Sequence, residues 1–386
     1  MARIYPSQFL LTAVERIVAC SFAEKRPRPE ILLSNQLDMS RDELGPSPPQ
    51  AHAASELQES LYFQSYARLE THMALLQDSV RTQAFRDAIR HNRQHFQGKI
   101  VLDVGCGTGI LSLFAAEAGA RKVIGVEYTD MAEVAREIVR DNEKEDVVTV
   151  VKGLVEQVEL PDGIQQVDVI VSEWMGNGLY MEAVLNSVLY ARDKWLRRNG
   201  LILPSVGNLW VVGAHDPHRK ANLNFWHSVE DIDMSCVRKV VSQEPVVDCV
   251  TIQQLLTDEC YLHSTHLDTA RNEPVAFRSN FLLTVRRPGI INLLVLYFDV
   301  GFPQGDSPVS LKLCTSPHSP WTHWEQTLLY LDEPLFVKAN DRVRGVLGVT
   351  PDGQDRRCMT FDLNISFRSA RTRVESFKSF SSTGSR

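Results

Sequence analysis

Val101-Leu-Asp-Val-Gly-Cys-Gly-Thr-Gly-Ile110 joins a short apolar run to a helical pattern through a glycine-rich turn. Ile100, Val101 and Leu102 read as a buried strand, and Gly105, Gly107 and Gly109 form the loop that follows. Leu111, Phe114, Ala115 and Ala118 then recur on one helical face until Gly119 ends the pattern. Strand, glycine loop and helix N-terminus together make a cradle for a nucleotide-like cofactor. Without β-carbons the backbone can approach the ligand, and the unpaired N–H groups of the first turn face it. The spacing is G-x-G-x-G, not the G-x-G-x-x-G of dinucleotide enzymes, which disfavours NAD. Val123-Ile-Gly-Val-Glu127 supplies a second strand ending in a carboxylate, about 20 positions past the loop, where a ribose diol is bound. With Asp103 before the loop and Glu127 after it, the expected cofactor is S-adenosylmethionine (SAM). For the glycines alone, an ordinary strand–helix turn is the alternative.

Outward from this stretch, strand and helix patterns alternate over residues 56–204. A helical stretch runs from Tyr62 through Arg68, Met73 and Leu76 to Phe85 and Ile89. Beyond Glu127 come a helix through Val134, Ile138 and Val139, a strand at Val147–Val151 and another at Val167–Ser172. A helix over Tyr180–Leu196 and a strand over Gly200–Pro204 complete the set. This rhythm predicts an α/β fold with a doubly wound parallel sheet, its ligands beyond the carboxyl ends of the strands. From 205 to 366 the segments are short, β-rich and separated by Gly, Pro, Asp and Ser, which predicts an antiparallel barrel-like domain. Within it, Ala221–Val240 reads as a helical insertion carrying Leu223, Phe225, Trp226 and Met234, either a docking arm or local core. The prolines among residues 1–55 predict a disordered extension with a short helix at Phe9–Cys20, and the Ser/Arg-rich residues 367–386 predict a frayed tail.

A chain of 386 residues with 44% hydrophobic and 23% charged residues has room for two globular domains. Its net charge of −7 argues against nonspecific binding of nucleic acid and suits a basic substrate better. No apolar run is long enough to predict a membrane span. Seven scattered cysteines without a C-x-x-C predict a reducing compartment, nucleus or cytoplasm, and no metal centre.

The chemistry is expected at Ser172-Glu-Trp-Met-Gly-Asn-Gly-Leu-Tyr-Met-Glu182. Glu173 closes a strand at its carboxyl end, Glu182 falls in the first part of the next helix, and Gly176 and Gly178 let the chain fold back between them. Two carboxylates aimed at one point can grip the planar N–H fork of a guanidinium. Proton abstraction from a free guanidinium is the less natural use, since its pKa is about 12.5–13.8. Taken singly, Glu173 could cap a helix and Glu182 could lie on a solvated face.

Tyr62-Phe-Gln-Ser-Tyr66, the Val101–Gly109 loop, the Glu173/Glu182 hairpin and Thr322-His-Trp324 together resemble the class I core of the protein arginine N-methyltransferases over about residues 60–366. The resemblance implies SAM as cofactor and arginine-containing proteins as substrates, with mono- and asymmetric dimethylarginine as products. It places Tyr62, Phe63, His72, Arg81, Asp103, Gly105, Gly107, Glu127 and Glu156 at the cofactor, and Tyr66, Met175 and Trp324 at the substrate. Arg81 would hold the methionine carboxylate, Glu127 the ribose and Glu156 the adenine edge. Glu173 and Glu182 become the substrate clamp. His323 pairs with Asp78, either as a proton path or as a structural hydrogen bond between the domains. The 221–240 arm implies a homodimer. The sequence departs from the family at Leu75 and Val184, where methionines are common, and at Asn177, where an aromatic is common. These changes reshape the pocket and leave monomethyl-only activity open.

Rival readings are a methyltransferase for another substrate class, a non-catalytic scaffold and an NAD enzyme.

Overall fold

β1 (Ile100–Val104) is the middle strand of a five-stranded parallel sheet. It lies between β2 (Lys122–Glu127) and β4 (Val167–Val171), with β3 (Val148–Lys152) and β5 (Leu196–Leu203) at the edges, in the order β3-β2-β1-β4-β5. Val101 and Leu102 are both fully buried, as a central parallel strand covered on two faces requires. The computed structural model describes residues 62–303, 311–353, 355–369 and 373–382, so the expected extension over 1–55 lies outside the described residues.

Strand order reverses between β1 and β4. The chain leaves β1 into the glycine loop and leaves β4 into Glu173, so both emerge at the switch point where α/β sheets bind ligands. The helical stretch expected from Tyr62 onward is broken. Residues 62–66 are helical, and after a break at 67–68 come α1 (Leu69–Gln77) and α2 (Ser79–His91). Asp78 makes the second break by capping α2, its side chain accepting the Arg81 N–H at 2.9 Å. The sheet helices are α3 (Ile110–Glu117), α4 (Met131–Asp141) and α5 (Val184–Trp195).

Past Pro204 every strand pairing is antiparallel. One sheet has the order β7-β12-β10-β6-β8 with β11 on β10, and the other the order β15-β14-β13-β9. These comprise β6 (Val206–Ala214), β7 (Val246–Asp248), β8 (Cys260–His266), β9 (Phe277–Thr284), β10 (Gly289–Gly301), β11 (Lys312–Cys314), β12 (Gln326–Val337), β13 (Arg342–Pro351), β14 (Met359–Arg368) and β15 (Arg373–Ser381). β14 alternates strictly: Met359, Phe361, Leu363, Ile365 and Phe367 are buried, with polar residues between them.

β15 corrects the expectation of a frayed tail. It pairs with β14 from Arg368↔Arg373 to Thr360↔Ser381 and buries Val374 and Phe380. Lys378 on the same strand donates to the Tyr330 carbonyl at 3.0 Å and to Asp332 at 2.5 Å. Polar composition concealed a strand whose inward face is only half apolar.

The insertion forms two helices, α6 (Arg219–Phe225) and α7 (Cys236–Gln243), and α7 rests against β15. Phe225, Ile232 and Val240 are exposed on this arm, so local core burial does not account for them. One apolar core runs through the parallel sheet and into the barrel-like half, and a smaller separate one lies within that half around Val212, Leu293, Val295 and Leu328.

Candidate active site

All three loop glycines have left-handed φ, +72° at Gly105, +52° at Gly107 and +80° at Gly109. A β-carbon at Gly107 would come within 2.9 Å of the His72 ring, so His72 stands directly on the loop. The His72 ring is buried and its Nε2 lies 2.8 Å from the Tyr66 carbonyl. At Gly105, by contrast, a β-carbon would meet nothing within 4 Å, which makes it the open side of the cradle. Glu127 is fixed beside the loop. Gly107 N–H donates to its Oε2 at 3.0 Å, while Thr129 donates to its Oε1 through both N–H and hydroxyl at 2.8 Å.

Asp103 lies beneath this cradle, its Oδ2 accepting from the Ser112 hydroxyl at 2.7 Å and its Oδ1 buried without a protein partner. The residue therefore ties β1 to α3 and reaches the site only through the loop. Burial pushes its carboxyl up to about 7 against the pull of the Ser112 hydrogen bonds. A folded-state value above the unfolded 3.8 means the folded chain holds the proton more tightly, so stability is lost as pH rises from 3.8 to about 7. Asp103→Asn, which stays neutral, should thus gain thermal stability relative to the wild type between about pH 5 and about pH 8. Melting curves for both proteins at each pH check this; a constant difference counts against a protonatable Asp103.

The hairpin after β4 carries the paired acids. Gly176 and Leu179 bridge each other, and a β-carbon at Gly176 would collide with the Met181 carbonyl, so only glycine permits that approach. Leu179, Glu182 and Ala183 have φ of +73°, +76° and +58°. The helix expected from Tyr180 therefore starts at Val184, and Glu182 precedes it in a left-handed conformation that non-glycine residues adopt at a cost, as at many functional sites. Tyr180 anchors the hairpin through its hydroxyl, 3.0 Å from Thr265 on β8.

Each acid has a dedicated holder. Arg81 donates to Glu173 Oε2 from Nε at 3.3 Å and from Nη2 at 3.2 Å. Its Nη1 reaches the Leu75 carbonyl at 3.4 Å. Tyr66 hydroxyl donates to Glu182 Oε2 at 2.6 Å. Glu173 Oε1 is buried with no protein hydrogen-bond partner. Burial, and next the charge of Glu182, raises the Tyr62 and Tyr66 hydroxyls well above their ordinary range, and Glu173 acts on both in the same direction. The charge of both carboxylates thus reaches the tyrosines of the 62–66 helix. Tyr62 packs on Phe63 and Tyr66, with ring centroids 5.2 and 4.9 Å away, and Phe63 packs on Tyr128 at 4.1 Å.

The barrel half closes the back of the site. Asp78 Oδ2 accepts from the His323 N–H at 2.9 Å and lies 2.8 Å from His323 Nδ1, so the expected pair is present. Burial alone would raise the Asp78 carboxyl, but bonds from His323 and from the Arg81 and His323 N–H groups outweigh it and hold it below the ordinary range. Trp324 donates from Nε1 to the Met175 carbonyl at 2.9 Å. Both Trp324 and Met175 are buried, and the bond between them braces the hairpin from behind.

Glu156 is not brought to this cluster. Its carboxylate is exposed and accepts from the Ser187 hydroxyl at 2.7 Å. Asn177 is buried within the hairpin, and Leu75 and Val184 are half-buried. Sequence reasoning missed Arg357, whose guanidinium carbon lies 4.7 Å from the Tyr62 ring centroid and 4.9 Å from that of Phe63. Nothing in Asp355-Arg-Arg-Cys358 signals such a role.

Known proteins resemble this chain over most of its length. The family described as "Arginine methyltransferase oligomerization subdomain" matches residues 205–370, and "Ribosomal protein L11 methyltransferase (PrmA)" matches 88–190. The chain is 39% identical over 307 residues to protein arginine N-methyltransferase 1 of Dictyostelium discoideum, covering 79% of this chain and 89% of that protein. The chain belongs to the protein arginine N-methyltransferase family. The protein arginine N-methyltransferase 1 of Caenorhabditis elegans is 40% identical over 324 residues, covering 83% of this chain and 92% of that one.

Solved arginine methyltransferases share the fold. The PRMT1 enzyme–prozyme heterotetrameric complex of Trypanosoma brucei with AdoHcy superposes with a TM-score of 0.79 at 39% identity, covering 83% of this chain and all of that one. Protein arginine methyltransferase 10 of Arabidopsis thaliana gives 0.75 at 30% identity, covering 83% and 99%. As an arginine methyltransferase the chain is an enzyme, a SAM-dependent transferase with a parallel-sheet domain and a barrel-like domain.

Proposed function

We propose that this arginine methyltransferase modifies guanidino nitrogens in proteins such as histones or Gly/Arg-rich proteins, giving mono- and asymmetric dimethylarginine. The observation that carries the reading is the acid pair on one hairpin. Glu173 is held by Arg81, Glu182 by Tyr66, and Glu173 Oε1 is buried without a protein donor. A guanidinium N–H satisfies that acceptor.

The cradle fits SAM: it is open at Gly105, has a fixed carboxylate at Glu127 and is flanked by His72 and Arg81. Glu127 would take the ribose hydroxyls, and Arg81 the methionine carboxylate while still gripping Glu173. When bound, SAM supplies an electrophilic methyl carbon on its sulfonium. The chain's own part is alignment. Glu173 and Glu182 fix the flat cation and draw its positive charge away from one terminal nitrogen, whose lone pair then points along the transfer axis. Tyr62, Phe63 and Tyr66 exclude water from above. The Asp78–His323 pair offers a path for the released proton.

The arm, with Phe225, Ile232 and Val240 exposed, supports a homodimer in which each arm docks on the partner subunit. Residence in the nucleus or cytoplasm belongs to the same reading, supported by the absence of disulfides among the described cysteines. The test is incubation with labelled SAM and histone-tail or Gly/Arg-rich peptides, followed by mass spectrometry. Increments of one and two methyl groups on arginine, with fragments of the asymmetric isomer, are expected. SAM binding with no arginine labelled overturns the substrate reading, and a product stopping at one methyl group overturns the dimethyl one.

A further inference from the structure

One barrel residue touches both the helix above the cradle and the catalytic hairpin. The guanidinium of Arg357 lies against the rings of Tyr62 and Phe63, within the distance at which a cation is attracted to an aromatic face. Its main-chain carbonyl accepts the Glu182 N–H at 2.8 Å. The turn presenting it is pinned from within. Arg357 N–H donates to Asp355 Oδ1 at 2.9 Å, Asp355 N–H to Asp352 Oδ1 at 3.2 Å, and Asp352 N–H to the Cys358 carbonyl at 2.9 Å. The guanidinium thus comes from a braced support, and the helical residues 62–66 it touches are separated from α1 by the break at 67–68.

The two contacts converge on one acid. Tyr62 packs on Tyr66, Tyr66 donates to the Glu182 carboxylate, and the Arg357 carbonyl holds the Glu182 backbone in its left-handed conformation. The break at 67–68 uncouples residues 62–66 from the backbone hydrogen bonding of α1. Among the described contacts, their rings tie them to Tyr128 and to Arg357.

We propose that Arg357 is a positioning residue: a cationic latch on the barrel domain that holds the Tyr62–Tyr66 helix down over the cofactor cradle and so keeps Tyr66 on Glu182. The proposal rests on the reading that SAM occupies that cradle. It makes cofactor retention depend on the barrel half as well as on the sheet that forms the cradle.

Arg357→Ala keeps the main-chain carbonyl and its bond to Glu182 while removing the guanidinium from the Tyr62 and Phe63 rings. With S-adenosylhomocysteine as the probe, calorimetry should show affinity about tenfold weaker, and stopped-flow release should be correspondingly faster. In turnover, KM for SAM should rise more than kcat falls. Arg357→Lys, which keeps a cation over the rings, should restore most of the affinity. Arg356→Ala, the same charge removed from the exposed neighbour, should leave it unchanged. The melting temperature of ligand-free Arg357→Ala should stay within about 2 °C of wild type. A merely structural arginine would lower that temperature and leave affinity alone.

Equal affinity in wild type and Arg357→Ala overturns the latch. If Arg357→Ala does not fold, the Arg357→Lys and Arg357→Met pair decides the same question, and equal affinities for those two overturn it. If the wild type itself does not bind the probe, the cradle reading fails, and that result is distinct from the others.

Discussion

Glu173→Gln is expected to lower kcat on an arginine peptide by about 10²–10³, the usual consequence of removing one preorganised electrostatic partner from a reacting group. Glutamine keeps the shape and an acceptor oxygen but loses the negative charge. The cation then binds less firmly and, above all, keeps its charge spread over all three nitrogens. Arg81 still reaches the amide oxygen at the position of Oε2, so the wall of the cradle stays in place. SAM affinity should change by no more than about threefold, the scatter typical of a context-dependent contact. Steady-state kinetics with calorimetry on the same preparation separates the two effects. Unchanged turnover removes Glu173 from the clamp, and parallel loss of SAM affinity would make it a cofactor residue instead.

Gly105→Arg should abolish SAM binding while leaving the fold in place. A side chain at φ +72° carries a backbone penalty of roughly 1–2 kcal/mol, which a chain of this size tolerates. A β-carbon there meets no protein atom within 4 Å, so the new side chain starts out on the open side of the cradle, the proposed cofactor site. At a SAM concentration about 100 times its Kd the wild type gains roughly 2.7 kcal/mol of stability, and its melting temperature rises by several degrees. The variant should show no rise at all. A normal ligand-induced shift would mean that the space at Gly105 is not the cofactor site.

Features carried by neighbouring residues were legible in the chain alone. The glycine loop and Glu127 follow from a strand, a turn and a second strand, and the structure joins them through a single bond, Gly107 N–H to Glu127. The acid pair was legible because one hairpin carries both members. Their holders were not. Arg81 reaches Glu173 across 92 residues and Tyr66 reaches Glu182 across 116, separations that no local spacing encodes. Family resemblance brought Arg81 and Tyr66 to the site, yet assigned Arg81 to the cofactor without its grip on Glu173. Glu182 was placed in a helix because Tyr180–Leu196 is periodic, and the left-handed turn that delays the helix depends on the Arg357 carbonyl from the other domain. β15 was hidden for a different reason. Its inward positions run Val374, Ser376, Lys378, Phe380, and only the partners offered by Tyr330 and Asp332 make a lysine acceptable there.

That strand gives the segment after Arg368 an unexpected burden. Ribosomal synthesis delivers it after every other part of the barrel, so β14 has an unpaired outer edge until residues 373–381 leave the exit tunnel. A frameshift or stop codon shortly before Arg373 would leave that edge bare for good. It is a row of unsatisfied amides beside Phe361 and Phe367, open to pairing with a second defective chain. A chain cut before Arg373 is therefore expected to be insoluble, while substitutions on the exposed side of the same strand pass unnoticed.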